Sequence, residues 1–329
     1  MESPGSPHLI GAAEFSPAIL CTPEVLGQQI PVEIGGQRGL LIFPSLPDEW
    51  ESSSDSLNLP LKAPEGSEGI TFGQNDGKWG RPESYPEGRA SVSKALLKFT
   101  PSVGLPSECA DGIYSAYAVW LELFVQYIVL QTKQNTWKAI AIENNAANLR
   151  IFHTEDGRLQ FASSGRNVML TISVPSESHF ATNAQLQQAA LLASQGVRPR
   201  LQYRLLLEAY RARTEQDWRK VVWDAASALE CCLVESITDT LQKVKSIDGP
   251  RLLNSYQGLT RLLELAKILH LEIPPTNLKK SVIDPRNSVA HKARFTSSDV
   301  AITALSECDS LIRNLTPQLW EMTEEHEDR

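Results

Sequence analysis

The sequence contains too few cysteines in useful positions for a disulfide-bonded or zinc-binding protein. Its 329 residues include five cysteines, which is an odd number. Cys231 and Cys232 are adjacent, and no CxxC pair occurs anywhere. This pattern argues against a disulfide framework and a zinc site, and it is typical of a reducing cytoplasm. We therefore expect a cytoplasmic protein that binds no metal and no cofactor.

Targeting and membrane-spanning segments are also lacking. The N-terminus has no basic segment followed by an apolar run, so we expect no signal peptide. The most apolar stretch, residues 117–132, is shorter than the roughly 20 residues of a membrane-spanning helix and contains Glu122 and Gln126. We interpret this stretch as a buried strand or strand pair, and we expect no membrane association.

The signatures of several enzyme classes are missing as well. There is no GxSxG and no HExxH, and the GGQRG stretch at 35–39 is not followed by the lysine and serine of a phosphate-binding loop. The formal net charge of −8 excludes a protein that is basic overall and binds nucleic acid through its whole surface. Any basic site must therefore be local.

What is present divides into two halves, which together predict an α+β protein. Residues 1–180 are expected to form a β-rich domain, sandwich-like or barrel-like, because short apolar runs alternate with turns that contain Gly, Asp and Ser. A hairpin around GGQRG and a three-stranded meander within 148–175 are expected. A long loop rich in Gly, Pro and Ser lies at about 50–88, where Trp79 and Tyr85 either line a binding surface or anchor the loop to its domain.

The second half has helical periodicity. We expect a connecting helix over 181–197, a helical domain over 198–320 and an acidic tail over 321–329. Apolar residues recur at helical spacing through this domain, and the RTEQDW stretch is expected to divide two helices, with Thr214 as the N-cap of the second.

The DPRNSVAHKAR stretch, residues 284–294, carries the candidate chemistry. Asp284 and Pro285 are typical of a helix start, and a kinked helix running through from Thr276 is the alternative. Asn287 and His291 are one turn apart and share a helix face. Histidine can take or give a proton near neutral pH, and Arg286 can hold a phosphate and stabilise the charge of a transition state.

These three residue types suit the cleavage of a phosphodiester beside a 2′-hydroxyl, which needs no metal because RNA carries its own nucleophile. The local charge agrees with RNA as the substrate. Residues 279–294 contain one acid and five basic residues, and Lys279, Lys280, Lys292 and Arg294 are expected to assist RNA binding. A second basic run covers 198–220, and the two runs would form a basic cleft if their helices pack together.

The motif Arg286-Asn287-x-x-x-His291 resembles the R-(polar)-x-x-x-H motif of the HEPN superfamily, which consists of all-helical domains, many of them ribonucleases. The resemblance covers roughly residues 198–320 and includes the order of the helices around the motif. It implies that Arg286, Asn287 and His291 are catalytic. In the family an acidic residue of an early helix packs toward the motif, and Glu230 or Asp224 would take that role, with Glu230 favoured.

The resemblance also implies a biological setting. HEPN ribonucleases cut RNA without metal and usually form homodimers in which two Arg–His pairs share one cleft. Many are toxins or phage-defence effectors that cause abortive infection. A β-rich region before a HEPN domain is similar to the layout of ApeA-like defence proteins, so residues 1–180 are expected to sense a trigger ligand or protein, or to restrain the nuclease. The alternative is a non-catalytic HEPN module that binds nucleotide, RNA or a partner protein.

Overall fold

The structure is a computed structural model, and it describes residues 9–47, 60–67, 79–82, 89–100, 106–134, 149–155, 158–164, 180–243, 249–273, 277–292 and 296–316. The side chains of residues 16–17, 106, 149–155, 158–164 and 291–292 lie outside this description. The chain divides into two compact units, Met1–Arg198 and Pro199–Arg329. We call them unit 1 and unit 2.

Unit 1 is built on one antiparallel sheet of seven described strands. The strands are β1 (Leu9–Cys21), β2 (Gln29–Ile34), β3 (Gln37–Ile42), β4 (Gly80–Pro82), β5 (Ala90–Phe99), β6 (Leu149–Glu155) and β7 (Arg158–Ser164). Their order is β2-β3-β5-β1-β6-β7, and β4 pairs with β5. The described strands thus form one sheet with helices beside it, which agrees with the α+β class. The expectation of a sandwich or barrel is wrong for these strands, because they form a single sheet.

The expected hairpin between β2 and β3 is confirmed, with a tighter turn than the sequence suggested. Only Gly35 and Gly36 connect the strands, with φ of 60° and 74°. A two-residue hairpin turn of this kind needs positive φ at both positions, which glycine adopts without strain. Gly39 lies inside β3, where a β-carbon would clash with the ring of Phe99 and the carbonyl of Lys98. The close approach of β3 and β5 therefore depends on this glycine.

The interpretation of residues 117–132 as strand is wrong, because they form the second half of helix α1 (Pro106–Thr132). A continuous apolar run looks the same in a buried strand and in a helix buried on most sides, and only its length favours the helix. Among the described helices, α1 alone is long and apolar enough to cross a membrane, but 61% of its most apolar window is buried inside the protein. Phe124 of α1 lies 6.3 Å from Phe15 of β1 between ring centroids, so α1 is a core helix of unit 1.

The remaining predictions for unit 1 have mixed outcomes. β6 and β7 pair as the first two strands of the expected meander, and its third strand lies outside the described residues. Helix α2 (Asn183–Ser194) corresponds to the expected connecting helix and packs against α1 and β2. Trp79 is 4% exposed, which fits an anchor for its loop, whereas Tyr85 lies outside the described residues.

Unit 2 is helical throughout its described part. It contains α3 (Leu201–Thr214), α4 (Trp218–Lys243), α5 (Gly249–Ser255), α6 (Leu259–Ile268), α7 (Asp284–Lys292) and α8 (Ser298–Leu315). Helix α4 is central, since α3, α6, α7 and α8 all pack against it. Its buried stripe includes Val222, Ala225, Leu229 and Leu233, at the spacing that places side chains on one helix face.

The break between α3 and α4 falls where the sequence placed it, but the cap is different. Thr214 is the last residue of α3, and its hydroxyl donates to the carbonyl of Arg211. The side chain of Asp217 instead accepts a hydrogen bond of 3.1 Å from the backbone N–H of Lys220. Asp217 therefore caps α4, and the prediction of Thr214 was wrong because the chain needs two further residues to turn. Gln216, with φ of 60°, lies in this turn.

Candidate functional site

The helix that carries the motif begins before Asp284. Residues Lys279–Ile283 form one π-helical turn that leads directly into α7. Asp284 is itself helical, with φ −64° and ψ −44°, and its N–H donates to the carbonyl of Lys279. The expectation of a new helix capped by Asp284 is therefore wrong, and the alternative, a helix that continues through the proline, is observed.

The π turn explains how a proline is tolerated inside this helix. Pro285 has no N–H, and in a regular α-helix its ring would clash with the carbonyl four residues earlier. A π-helical turn shifts those carbonyls and often occurs at functional sites. One consequence concerns anion binding: Arg286 follows helical residues, so the free amides of a helix N-terminus do not contribute at this position.

Arg286 lies against two residues of α4. Its Nη2 atom is 3.6 Å from Oε2 of Glu230. Its guanidinium carbon lies 5.3 Å from the ring centroid of Trp223, within the range of a cation–π contact. The Arg286 side chain is 27% exposed and that of Glu230 is 31% exposed, so the ion pair is reachable from solvent.

Asn287 extends this cluster on α7. Its Oδ1 atom accepts a hydrogen bond of 3.4 Å from Nη1 of Arg286. His291 is on the same helix one turn after Asn287, but its side chain lies outside the described part of the structure. The structure thus brings Arg286, Asn287 and Glu230 together, and it describes the backbone alone for His291.

Asp224, the second candidate acid, has different partners. Its carboxylate is 2.5 Å from Nζ of Lys220, which also lies 3.0 Å from Glu208 of α3. Burial lowers the pKa of Lys220, but hydrogen bonds to Asp224 and Glu208 outweigh that effect, so this pKa is raised. Lys220 therefore stays charged and neutralises Asp224. Of the two acids, Glu230 is the one that contacts the motif.

The surrounding basic residues form a less continuous surface than the sequence suggested. Arg200 pairs with Glu235 and Arg211 with Glu215, so together with Lys220 three cations of the 198–220 run have acidic partners. Lys279 and Lys280 are exposed beside the motif helix. The side chain of Lys292 and all of Arg294 lie outside the described residues. Lys279 and Lys280 therefore supply basic charge on the same helix as Arg286.

Metal binding and thiol chemistry depend on which acids, histidines and cysteines lie near Arg286. Among the described side chains, no group of three or more His, Cys, Asp or Glu is arranged to hold a metal ion. Cys231 follows Glu230 on α4, and burial together with the charges of Glu230 and Glu235 raises the pKa of its thiol. Burial raises the pKa of Cys232 to about 11. Both thiols are therefore protonated at neutral pH and are poor nucleophiles.

Trp223 is the site residue that the sequence analysis missed. Trp223 lies outside the apolar stripe of α4, so its ring does not fill the core. An aromatic residue on the polar face of a predicted helix was the sequence feature that could have indicated a site residue. Its contact with Arg286 depends on how α7 crosses α4, which the sequence does not reveal.

Comparisons of the chain with protein-family models, with curated proteins and with solved structures found no match.

Proposed function

We propose that this protein is a metal-independent endoribonuclease of the HEPN type. The observation that carries the proposal is the placement of Arg286. The Arg286 guanidinium lies beside Glu230, the Trp223 ring and Asn287, where it could bind a phosphate, and the backbone of His291, a proton-transfer group, follows five residues later on the same helix. The helical architecture of unit 2 fits a HEPN domain, and the α4 acid favoured on sequence grounds is the one at the motif.

The proposed reaction uses the RNA's own nucleophile. The 2′-oxygen attacks the adjacent phosphorus, the bond from phosphorus to the 5′-oxygen breaks, and the products carry a 2′,3′-cyclic phosphate and a 5′-hydroxyl. Arg286 binds the phosphate and stabilises the charge that grows on its oxygens. His291 removes the proton of the 2′-hydroxyl or supplies one to the leaving 5′-oxygen. Asn287 holds Arg286 in position, and Lys279 and Lys280 attract the RNA backbone.

The biological setting is part of the same proposal. A homodimer through unit 2 would place two Arg–His pairs near one RNA. Unit 1 would sense a trigger or restrain the nuclease, and the protein would act in the cytoplasm as a toxin or phage-defence effector. These assignments rest on the resemblance of unit 2 to HEPN ribonucleases. The homodimer, the role of unit 1 and the biological role can each be tested separately from RNA cleavage, and RNA cleavage can be tested first.

The test is cleavage of single-stranded RNA by the purified protein in EDTA. We expect cleavage by the wild type and its loss in Arg286→Ala and His291→Asn. Arg261→Ala and His270→Asn are matched controls, because both residues are exposed on or beside α6 and neither belongs to the motif. Asparagine suits position 270, where φ is 55°. Equal cleavage by all five proteins would assign the activity to another site or to a contaminant.

One observation favours a second function, a HEPN module that binds without cleaving. Arg286 already has a carboxylate partner in Glu230, which reduces the net positive charge offered to a phosphate. A binding module predicts that folded wild type cleaves no RNA, whereas Arg286→Ala still weakens its binding to RNA. The cleavage assay and a binding assay on the same proteins therefore separate the two functions.

A further inference from the structure

Trp223 is exposed where its neighbours in sequence are buried. Trp223 is 43% exposed, whereas Val222 and Ala225 are fully buried and Asp224 is 8% exposed. Helix α4 packs its core stripe with small and aliphatic residues, so this ring contributes little to the core. Proteins that bind single-stranded nucleic acid combine exposed aromatic rings, on which bases stack, with positive charge along the backbone path.

The contact between Trp223 and Arg286 leaves the arginine able to bind a phosphate. The guanidinium carbon lies 5.3 Å from the ring centroid, and a guanidinium in a cation–π contact keeps its N–H groups available to donate to an anion. Glu230 at 3.6 Å and Asn287 at 3.4 Å engage some of these N–H groups at long range. A phosphate oxygen could therefore approach the arginine while a base approaches the exposed part of the indole.

We propose that Trp223 is a base-stacking residue, which holds one nucleobase of single-stranded RNA beside the phosphate that Arg286 binds. This inference rests on the proposed ribonuclease function and adds a specificity-determining residue to it. A base offers its π face only when it is unpaired and unstacked, so the site selects single strands over duplex RNA. Every base has such a face, so Trp223 confers a preference for unpaired structure more than for one sequence.

The experiment separates the base from the phosphate in the ligand. The first probe is a fluorescently labelled single-stranded 2′-O-methyl RNA of seven nucleotides, in which the methyl group blocks the nucleophile. The second is a sugar–phosphate chain of the same length without bases. Affinities for both are measured by fluorescence anisotropy for the wild type, Trp223→Leu, Trp223→Phe and Arg286→Ala. Ile268→Ala is the control, because Ile268 is 61% exposed on α6.

The expected pattern is a coupling between the ring and the bases. Trp223→Leu should weaken binding of the RNA about tenfold, the typical effect of removing one stacking ring, and leave the base-free chain unchanged. Trp223→Phe should keep most of the affinity for the RNA. Arg286→Ala should weaken the binding of both probes, and Ile268→Ala should change the binding of neither probe. Equal loss of both probes in Trp223→Leu would overturn the inference, because the ring would then only support Arg286. Equal affinity of all variants for the RNA would overturn it as well.

The outcome for Trp223 is distinguishable from that of the proposed function. Cleavage of unmodified RNA by the wild type in EDTA, together with unchanged RNA binding by Trp223→Leu, would overturn the stacking role and leave the ribonuclease standing. Absence of cleavage together with base-dependent binding that Trp223→Leu loses would support the stacking role and contradict catalysis.

Discussion

Replacement of Glu230 by glutamine tests the electrostatics of the site most directly. Glu230 faces Arg286, so a phosphate bound by Arg286 would lie near this carboxylate. Glutamine has the same shape and removes the negative charge. We therefore expect Glu230→Gln to bind single-stranded RNA more tightly than the wild type, because the phosphate no longer meets a carboxylate beside the arginine.

The expected size of this effect follows from the geometry. The carboxylate lies 3.6 Å from the guanidinium. A phosphate hydrogen-bonded to another edge of the guanidinium would lie roughly 7 Å from Glu230, where two unit charges repel by about 0.6 kcal/mol in water and about 2.4 kcal/mol at an effective dielectric constant of about 20. Because both side chains are about 30% exposed, solvent and salt screen the repulsion. The lower half of that range corresponds to about threefold to tenfold tighter binding.

The assay is binding of the seven-nucleotide 2′-O-methyl RNA at low and high salt. The gain in Glu230→Gln should shrink as salt rises, because the repulsion is screened. Glu264→Gln makes the same change in net charge at an exposed position of α6, and it controls for the charge of the whole protein. Folding should change little, since partly exposed ion pairs contribute about 0.2–1 kcal/mol to the free energy of unfolding. Weaker RNA binding by Glu230→Gln would refute this reasoning and show that the carboxylate is needed to hold Arg286.

Two further predictions concern stability. Asp309→Ala should lower the free energy of unfolding by about 3–5 kcal/mol, because Asp309 is 1% exposed and its loss leaves Arg313, 2.8 Å away, without its main counter-charge. A loss below about 1 kcal/mol in urea denaturation would contradict the importance of this pair. The free energy of unfolding should also fall as the pH rises above about 9. Burial in the folded state raises the pKa of Cys232 to about 11 and that of Tyr127 to about 12. These groups therefore favour the folded state while they are protonated. Their contribution to the free energy of unfolding is lost as the pH rises through these values. Denaturation at pH 8 and pH 10 checks the sign, and equal or greater stability at pH 10 would contradict it.

The sequence predicted the elements whose signals are local. Hairpin β2–β3 was predicted from apolar strands around paired glycines, and the α3–α4 break from a polar stretch between two helical patterns. These features depend on turn and cap chemistry within a few residues. Helix α1 was misassigned because its apolar run is buried on most sides, and burial of that kind erases the alternation that separates a helix from a strand.

For the candidate site, the sequence predicted part of the set of residues that the structure brings to Arg286 but not their geometry. The sequence placed Arg286 and Asn287 together and favoured Glu230 as the acid at the motif. It did not reveal the π turn before Pro285, because a proline after aspartate usually marks a helix start. It also did not reveal the contact of Trp223 with Arg286, which arises from the packing of α7 on α4, a tertiary feature without a local signal.

The central claim is that Arg286 and His291 cleave RNA without metal, and the chemistry of the product ends tests it most directly. Wild-type protein in EDTA should give fragments with 2′,3′-cyclic phosphate and 5′-hydroxyl ends, identified by mass spectrometry of a defined oligoribonucleotide. The same oligonucleotide with a 2′-O-methyl group at the cleaved position should remain intact. Fragments with 5′-phosphate ends, or cleavage of the methylated substrate, would contradict the account, because neither product can arise from attack by the 2′-hydroxyl.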